Sequence, residues 1–227
     1  MPQPWRVELH CHSIWSKDCI VTFETILQLC ERRGIDKLAL TDHNTAEGAL
    51  LLQQRAPDRI IVGEEIMTTQ GELLAFFVQE SIPAGLTPQA TIDELRAQGA
   101  VISVSHPFDR LRKGAWEEHH LRAIIDQVDA IETFNARCLY AEDNARAAAF
   151  AKAQGLRGTA GSDAHSRPEY GRALTLLAPF ATPSEFISAL DHAAYVERYS
   201  PAWVHANSTT AKWSRKLGLR PRLWEGG

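Results

Sequence analysis

The sequence predicts an α/β barrel, and three observations carry that prediction. Short β-like runs alternate with helical patterns along the whole 227-residue chain. Polar residues collect at or just beyond the C-terminal ends of those runs, which in a closed barrel share one mouth. No internal repeat and no Pro/Gly linker divides the chain, so one domain over residues 1–227 is expected, with 195–227 as a basic, Trp-containing extension packed on it. An open doubly wound sheet would also alternate, but it gathers functional groups at one crevice and not at nearly every strand end.

Taken in order, VELHCH (7–12) is the first strand-like run. If it is extended, His10 and His12 point the same way, with Glu8 one pleat back and Val7, Leu9 and Cys11 opposite. TFETILQLCERRG (22–34) reads as a helix closed by glycine, followed by the strands KLALTDH (37–43) and RIIVGEEI (59–66). ELLAFFV (72–78) follows too closely for an intervening helix, which predicts a hairpin or a local irregularity. In TPQATIDELRAQG (87–99), Thr87 caps a helix and Pro88 takes its first position. AVISVSH (100–106) and AIETFN (130–135) are strands, AEDNARAAAFAKAQG (141–155) is a helix, and RGTAGSDAH (157–165) is the last run.

Composition narrows the function classes. Hydrophobic residues make up 44%, enough for a core, and the 23% charged residues form no disordered block. A net charge of −4 argues against a protein that coats nucleic acid non-specifically. Cys11, Cys19, Cys30 and Cys138 form no CxxC, which disfavours a disulfide scaffold or a thiolate zinc finger and suits a reducing compartment. MPQPWRVELH reaches a strand at once, leaving no room for a signal segment, and no apolar run approaches a membrane span. A soluble, cytoplasmic protein is expected.

The strand ends carry His12, Asp42 with His43, Glu64 with Glu65, His106, Asn135, and Asp163 with His165. Imidazoles and carboxylates together suit Mn²⁺, Fe²⁺ or Zn²⁺. Asp109, His119, His120, His192 and His205 lack that context and are read as ordinary packing or surface residues.

As an ordered set, HCH (10–12) with Asp18, TDHN (41–44), GEE (63–65), SHP (105–107), ETFNAR (132–137) and GSDAH (161–165) resemble the PHP family, the polymerase and histidinol phosphatase domains. The resemblance runs from about residue 7 to 177 and is specific as a set, though no single motif would suffice. It implies a distorted (β/α)7 barrel with two or three divalent ions, Mn²⁺, Fe²⁺ or Zn²⁺, at the C-terminal mouth, hydrolysing phosphate esters. Carried over, it implies that His10 and His12 bind one ion with Asp163, and that Glu65 bridges to a second held partly by His106. Asp18, His43 and His165 would hold a third. Two positions depart from the pattern. Many relatives have a histidine where this chain reads GELLAFF (71–77), so either Glu72 substitutes or that position gives no ligand, and Asn135 stands where histidine or cysteine is common.

Ions so placed activate water and clamp phosphoryl oxygens, while the substrate's negative charge calls for cations beyond the ligands. Candidates are Arg110, Arg112, Lys113 and Arg137, of which Arg137, nearest a strand end, is the preferred clamp. His43 or His165 would protonate the leaving alkoxide, and Asp42 more plausibly orients a neighbouring histidine than binds metal. The expected catalytic set is Asp42, His43, His165 and Arg137, and the expected substrate a small phosphomonoester such as a nucleotide or sugar phosphate.

Three alternatives stand beside it. One is an exonuclease or oligonucleotide phosphatase using the tail and the 110–113 loop as a strand track; the others are an amidohydrolase and a silent metal-binding module. Nucleic acid is not the favoured partner, because the tail's tryptophans and basic residues fit packing on the barrel better than an isolated stacking track. Neither a membrane nor an obligate protein partner is expected.

Overall fold

The computed structural model describes residues 3–204. Its strands are β1 (Trp5–Glu8), β2 (Lys37–Leu40), β3 (Ile60–Met67), β4 (Glu72–Phe76), β5 (Val101–Val104), β6 (Ala130–Asn135), β7 (Arg157–Gly161), β8 (Ala173–Leu177) and β9 (Ala194–Glu197). They form one sheet in the order β7-β6-β5-β4-β3-β2-β1-β8-β9. The sheet curls into a nearly closed barrel. Ala164 bridges Cys11 in parallel, the Asp163 N–H donates to the His10 carbonyl at 2.7 Å, and the Ala160 N–H donates to Thr175 Oγ1 at 3.0 Å.

Around the barrel lie α1 (Phe23–Arg33), α2 (Glu47–Arg55), α3 (Pro88–Ala97), α4 (Glu118–Ile124), α5 (Ala141–Gln154) and α6 (Pro183–Leu190). Their ends follow local chemistry. Thr22 and Thr87 accept from the Thr25 and Ala90 N–H groups, and Pro88 needs no donor in the first turn. Gly34 and Gly155 close α1 and α5 in the left-handed region at φ 61° and 67°, where a Cβ would be strained.

The fold departs from strict βα alternation in two places. Only residues 68–71 separate β3 from β4, too few for a crossover, so β4 runs antiparallel to both β3 and β5. Of the two readings the sequence left open here, a hairpin or a local irregularity, the structure has the hairpin. β8 and β9, not foreseen, add an antiparallel pair beside β1. Inside the barrel Val7, Leu9, Ala39, Ile61, Leu74, Phe76, Val101 and Ala130 form one cluster, sealed by Phe180 and by Phe186 of α6. A second cluster fills the space between sheet and helices. The expected packing of the extension falls outside the described residues from position 205 onward.

Candidate metal centre

β1 ends at Glu8, so the two histidines of HCH lie just past the strand, where the backbone bends at His10. The pleat argument thus gives the right partnership by a different route. The bend and the bridge to Ala164 bring the rings within 5.2 Å, and both reach the same two carboxylates. His10 Nε2 lies 3.2 Å from Glu65 Oε1 and 3.7 Å from Asp163 Oδ1; His12 Nε2 lies 3.4 Å from Glu65 Oε2 and 3.3 Å from Asp163 Oδ1.

Each ring is aimed from behind. His10 Nδ1 is 2.9 Å from Glu132 Oε1, and His165 Nδ1 is 2.8 Å from the Asp163 carbonyl. His12 Nδ1 is 3.2 Å from Ser16 Oγ, whose hydroxyl donates to Asp42. With Nδ1 held in this way, Nε2 of all three rings is left for a ligand. His43 Nδ1 sits 2.9 Å from Glu65 Oε2, and Asp18 Oδ1 lies 3.5 Å from His43 Nε2 and 3.4 Å from His165 Nε2. His106 Nε2 is 3.1 Å from Glu65 Oε1 and 3.4 Å from Glu72 Oε2.

Asp42 accepts from Ser13 and Ser16 and so reaches His12 only through the Ser16 hydroxyl. Asn135 turns its Oδ1 to the Arg137 N–H at 2.9 Å and donates through Nδ2 to Glu132 and Asp163. Glu132 itself, within the ETFNAR stretch but not singled out there, also accepts from the His106 N–H at 2.8 Å. A buried carboxylate behind a histidine ligand has no fixed spacing in sequence, which is why it went unnoticed.

The arginines fall differently from expectation. Arg137 is buried with Nε 3.3 Å from Glu169 Oε1, and Glu169 accepts from the His165 N–H, so Arg137 braces the turn that carries His165. Arg110 pairs with Asp143 and lies over the Tyr140 ring. The arginine that reaches the centre is Arg112, whose guanidinium donates to Asp163 Oδ2 while its Nε lies 3.5 Å from Asp109. Nearness to a strand end in sequence favoured Arg137, but the loop after β5 folds back over the mouth.

Charge within the centre is strongly coupled. Burial alone would depress the His10 pKa, but Glu65, Glu132 and Asp163 raise it well above the ordinary imidazole value. His43 is raised against burial by Glu65 and Asp18, while His12 is lowered by burial together with His165 and His43. Against the same burial, His10 and His43 hold Glu65 well below its usual range, and Arg112 and His10 do so for Asp163. Asp163 also adopts a left-handed backbone at φ 50°, a strained conformation for a non-glycine residue that aims its carboxylate at the rings.

This donor set fits divalent metal ions. His10 Nε2, His12 Nε2, Glu65 Oε2 and Asp163 Oδ1 are buried without a hydrogen-bond partner, an arrangement whose desolvation cost a bound cation would offset. Donor atoms of His10, His12 and Asp163 lie within 4.8 Å of one another, as do those of His12, His43 and His165, and those of His43, Glu65 and Glu72. Glu117, His119 and His120 also cluster, but at the surface in the first turn of α4 and away from the strand ends.

Comparison with known proteins finds a family profile, a sequence relative and structures of similar fold. The PHP-associated family profile matches residues 141–195. The uncharacterized protein MJ0417 of Methanocaldococcus jannaschii is 32% identical over 195 residues, 82% of this chain and 78% of that protein. Among solved structures, a two-domain protein of Bacteroides vulgatus containing a predicted PHP-like metal-dependent phosphoesterase aligns with a TM-score of 0.71 at 21% identity, covering 87% of this chain and 67% of that one. The lesion-specific endonuclease PfuEndoQ of Pyrococcus furiosus aligns with a TM-score of 0.55 at 15% identity, over 83% of this chain and 56% of that one. The chain belongs to the PHP family.

Proposed function

We propose that this protein is a metal-dependent phosphoesterase acting on small phosphomonoesters, nucleotides or sugar phosphates. The observation that carries the reading is the set of buried, unpartnered donor atoms of His10, His12, Glu65 and Asp163 with the Arg112 guanidinium beside them. His10, His12 and Asp163 would hold one ion; Glu65 would bridge to a second at His106; Asp18, His43 and His165 would hold a third. When bound, such ions lower the pKa of a water and neutralise the phosphoryl group. The chemistry named for the Bacteroides vulgatus relative supports the same reading.

The chain's own residues supply the rest. Arg112 offers a planar fork of donors for phosphoryl oxygens and takes the clamp role first given to Arg137. The His43 side chain is 23% exposed against 1% for His165, so of these two residues His43 is the one nearer to solvent at the mouth. Asp42, through Ser16, keeps His12 in register. The four free, buried cysteines support a cytoplasmic setting, and a single barrel domain spanning the chain belongs to the same reading.

The test is phosphate release by Mn²⁺-loaded protein from mononucleotides, sugar phosphates and short 5′-phosphorylated oligonucleotides at rising salt. Release from the small esters, with KM raised about tenfold or more by Arg112→Ala, is the expected result. Cleavage confined to the oligonucleotides and lost with salt would move the assignment to nucleic acid, the substrate class of the Pyrococcus furiosus endonuclease.

A further inference from the structure

We propose that Glu72 is a ligand of the second ion, and that with Glu65 and His106 it forms an oxygen-dominated pocket suited to Mn²⁺ over Zn²⁺. The inference rests on the metal reading above. It begins with strand direction. Because β4 runs antiparallel to its neighbours, its first residue, not its last, comes to the mouth. Side chains alternate along a strand, so Glu72 shares a face with Leu74 and Phe76, both in the cluster inside the barrel. Glu65 pairs directly with Leu74 across the hairpin, which puts Glu65 and Glu72 on that same inner face.

There the two carboxylates meet His106, with His43 also within reach of both. His106 Nε2 lies 3.1 Å from Glu65 Oε1 and 3.4 Å from Glu72 Oε2, and Glu72 is only 7% exposed. Two buried carboxylates brought this close repel each other, and a divalent ion between them and His106 relieves that repulsion. Two carboxylate oxygens with the His106 nitrogen are a harder donor set than the two imidazoles and two carboxylates at His10, His12, Glu65 and Asp163, and such sets suit Mn²⁺ better than Zn²⁺.

The surrounding backbone is built around this carboxyl. The Glu72 N–H donates to the Gly114 carbonyl at 3.0 Å, and the Glu72 carbonyl accepts from the Ser105 N–H at 3.2 Å and from Trp116 Nε1 at 3.0 Å. Gly114 leaves room for the side chain, since a Cβ at that position would overlap the Glu72 carboxyl group. With the loop carrying Arg112 closed over Glu72, a Cβ at position 114 would push the Glu72 carboxyl group out of its present place.

The experiment is equilibrium dialysis of the chelator-stripped full chain against Mn²⁺, with metal counted by mass spectrometry and Zn²⁺ added in competition. Wild type, Glu72→Gln and Gly114→Ala are compared, with circular dichroism to establish folding. Glu72→Gln is expected to lose one class of Mn²⁺ or weaken it at least about tenfold while leaving the tighter class intact, and Gly114→Ala to shift the same class in the same direction. In wild type, Zn²⁺ should displace Mn²⁺ last from the class that Glu72→Gln removes. Wild-type stoichiometry and affinity in folded Glu72→Gln overturn the assignment; should that variant not fold, unchanged binding in Gly114→Ala overturns it. Wild type that binds no Mn²⁺ overturns the metal reading itself, so the two failures are distinct.

Discussion

Glu64 and Glu65 are neighbours in sequence and have opposite fates. Period-two alternation turns Glu65 into the mouth and Glu64 outward, where its carboxylate accepts from the Ile82 N–H at 3.0 Å and burial pushes its pKa up to about 8. Folded protein therefore keeps a proton that the unfolded chain releases between the ordinary value of 4.5 and about 8, so this group makes stability fall as pH rises through that window. Glu64→Gln keeps the acceptor and removes the titration. In urea unfolding it should match wild type near pH 4 and exceed it near pH 9 by on the order of 3 kcal/mol; an equal difference at both pH values would contradict the assignment. At this scale much of the centre was legible: His10, His12, Asp18, His43, Glu65, His106, Asp163 and His165 all converge on it. What was not legible was which arginine reaches inward. That depends on the path of the 107–116 loop, where Gly114 and Trp116 pack onto β4, and no local spacing encodes it.

Elements were readable where termini carry strong chemistry. α1, α3 and α5 follow from threonine caps, Pro88 and closing glycines, and each starts and stops within about two residues of its expected limits. α2 and α4 begin at Ala46 and Glu117 without a side-chain cap, so no signal marked them. α6 did carry one: Thr182 accepts from the Glu185 N–H, and Glu185 reaches back to the Thr182 N–H, a capping box completed by Pro183 in the first turn. This exposed cap fixes the helix that lays Phe186 over the inner cluster. Thr182→Ala should lower unfolding free energy by about 1 kcal/mol without changing metal content, and a change below about 0.3 kcal/mol would mean that Phe186 packing alone orders α6. Reversal of β4 is the element-level feature with the largest consequence, because it delivers Glu72 to an end that parallel strands reach with their last residues.

For the whole molecule, fold class was set by alternation and by where polar residues fall, and the near-closed barrel meets that expectation. Strict βα repetition does not hold, since the β3–β4 link is too short for a helix and β8–β9 return antiparallel. Neither departure disturbs the mouth, because the closing contacts between the 10–12 and 163–164 segments are also what bring His10, His12 and Asp163 together. Closure and site assembly are one event. The central claim, hydrolysis of phosphate esters dependent on ions held at that junction, is tested most directly by phosphate release from chelator-stripped protein before and after Mn²⁺ is restored, with Asp163→Asn in parallel. Activity that is absent when stripped, returns with Mn²⁺ and falls at least about a thousandfold in a folded Asp163→Asn is the predicted result. Hydrolysis that persists without metal, or survives in Asp163→Asn, would contradict it.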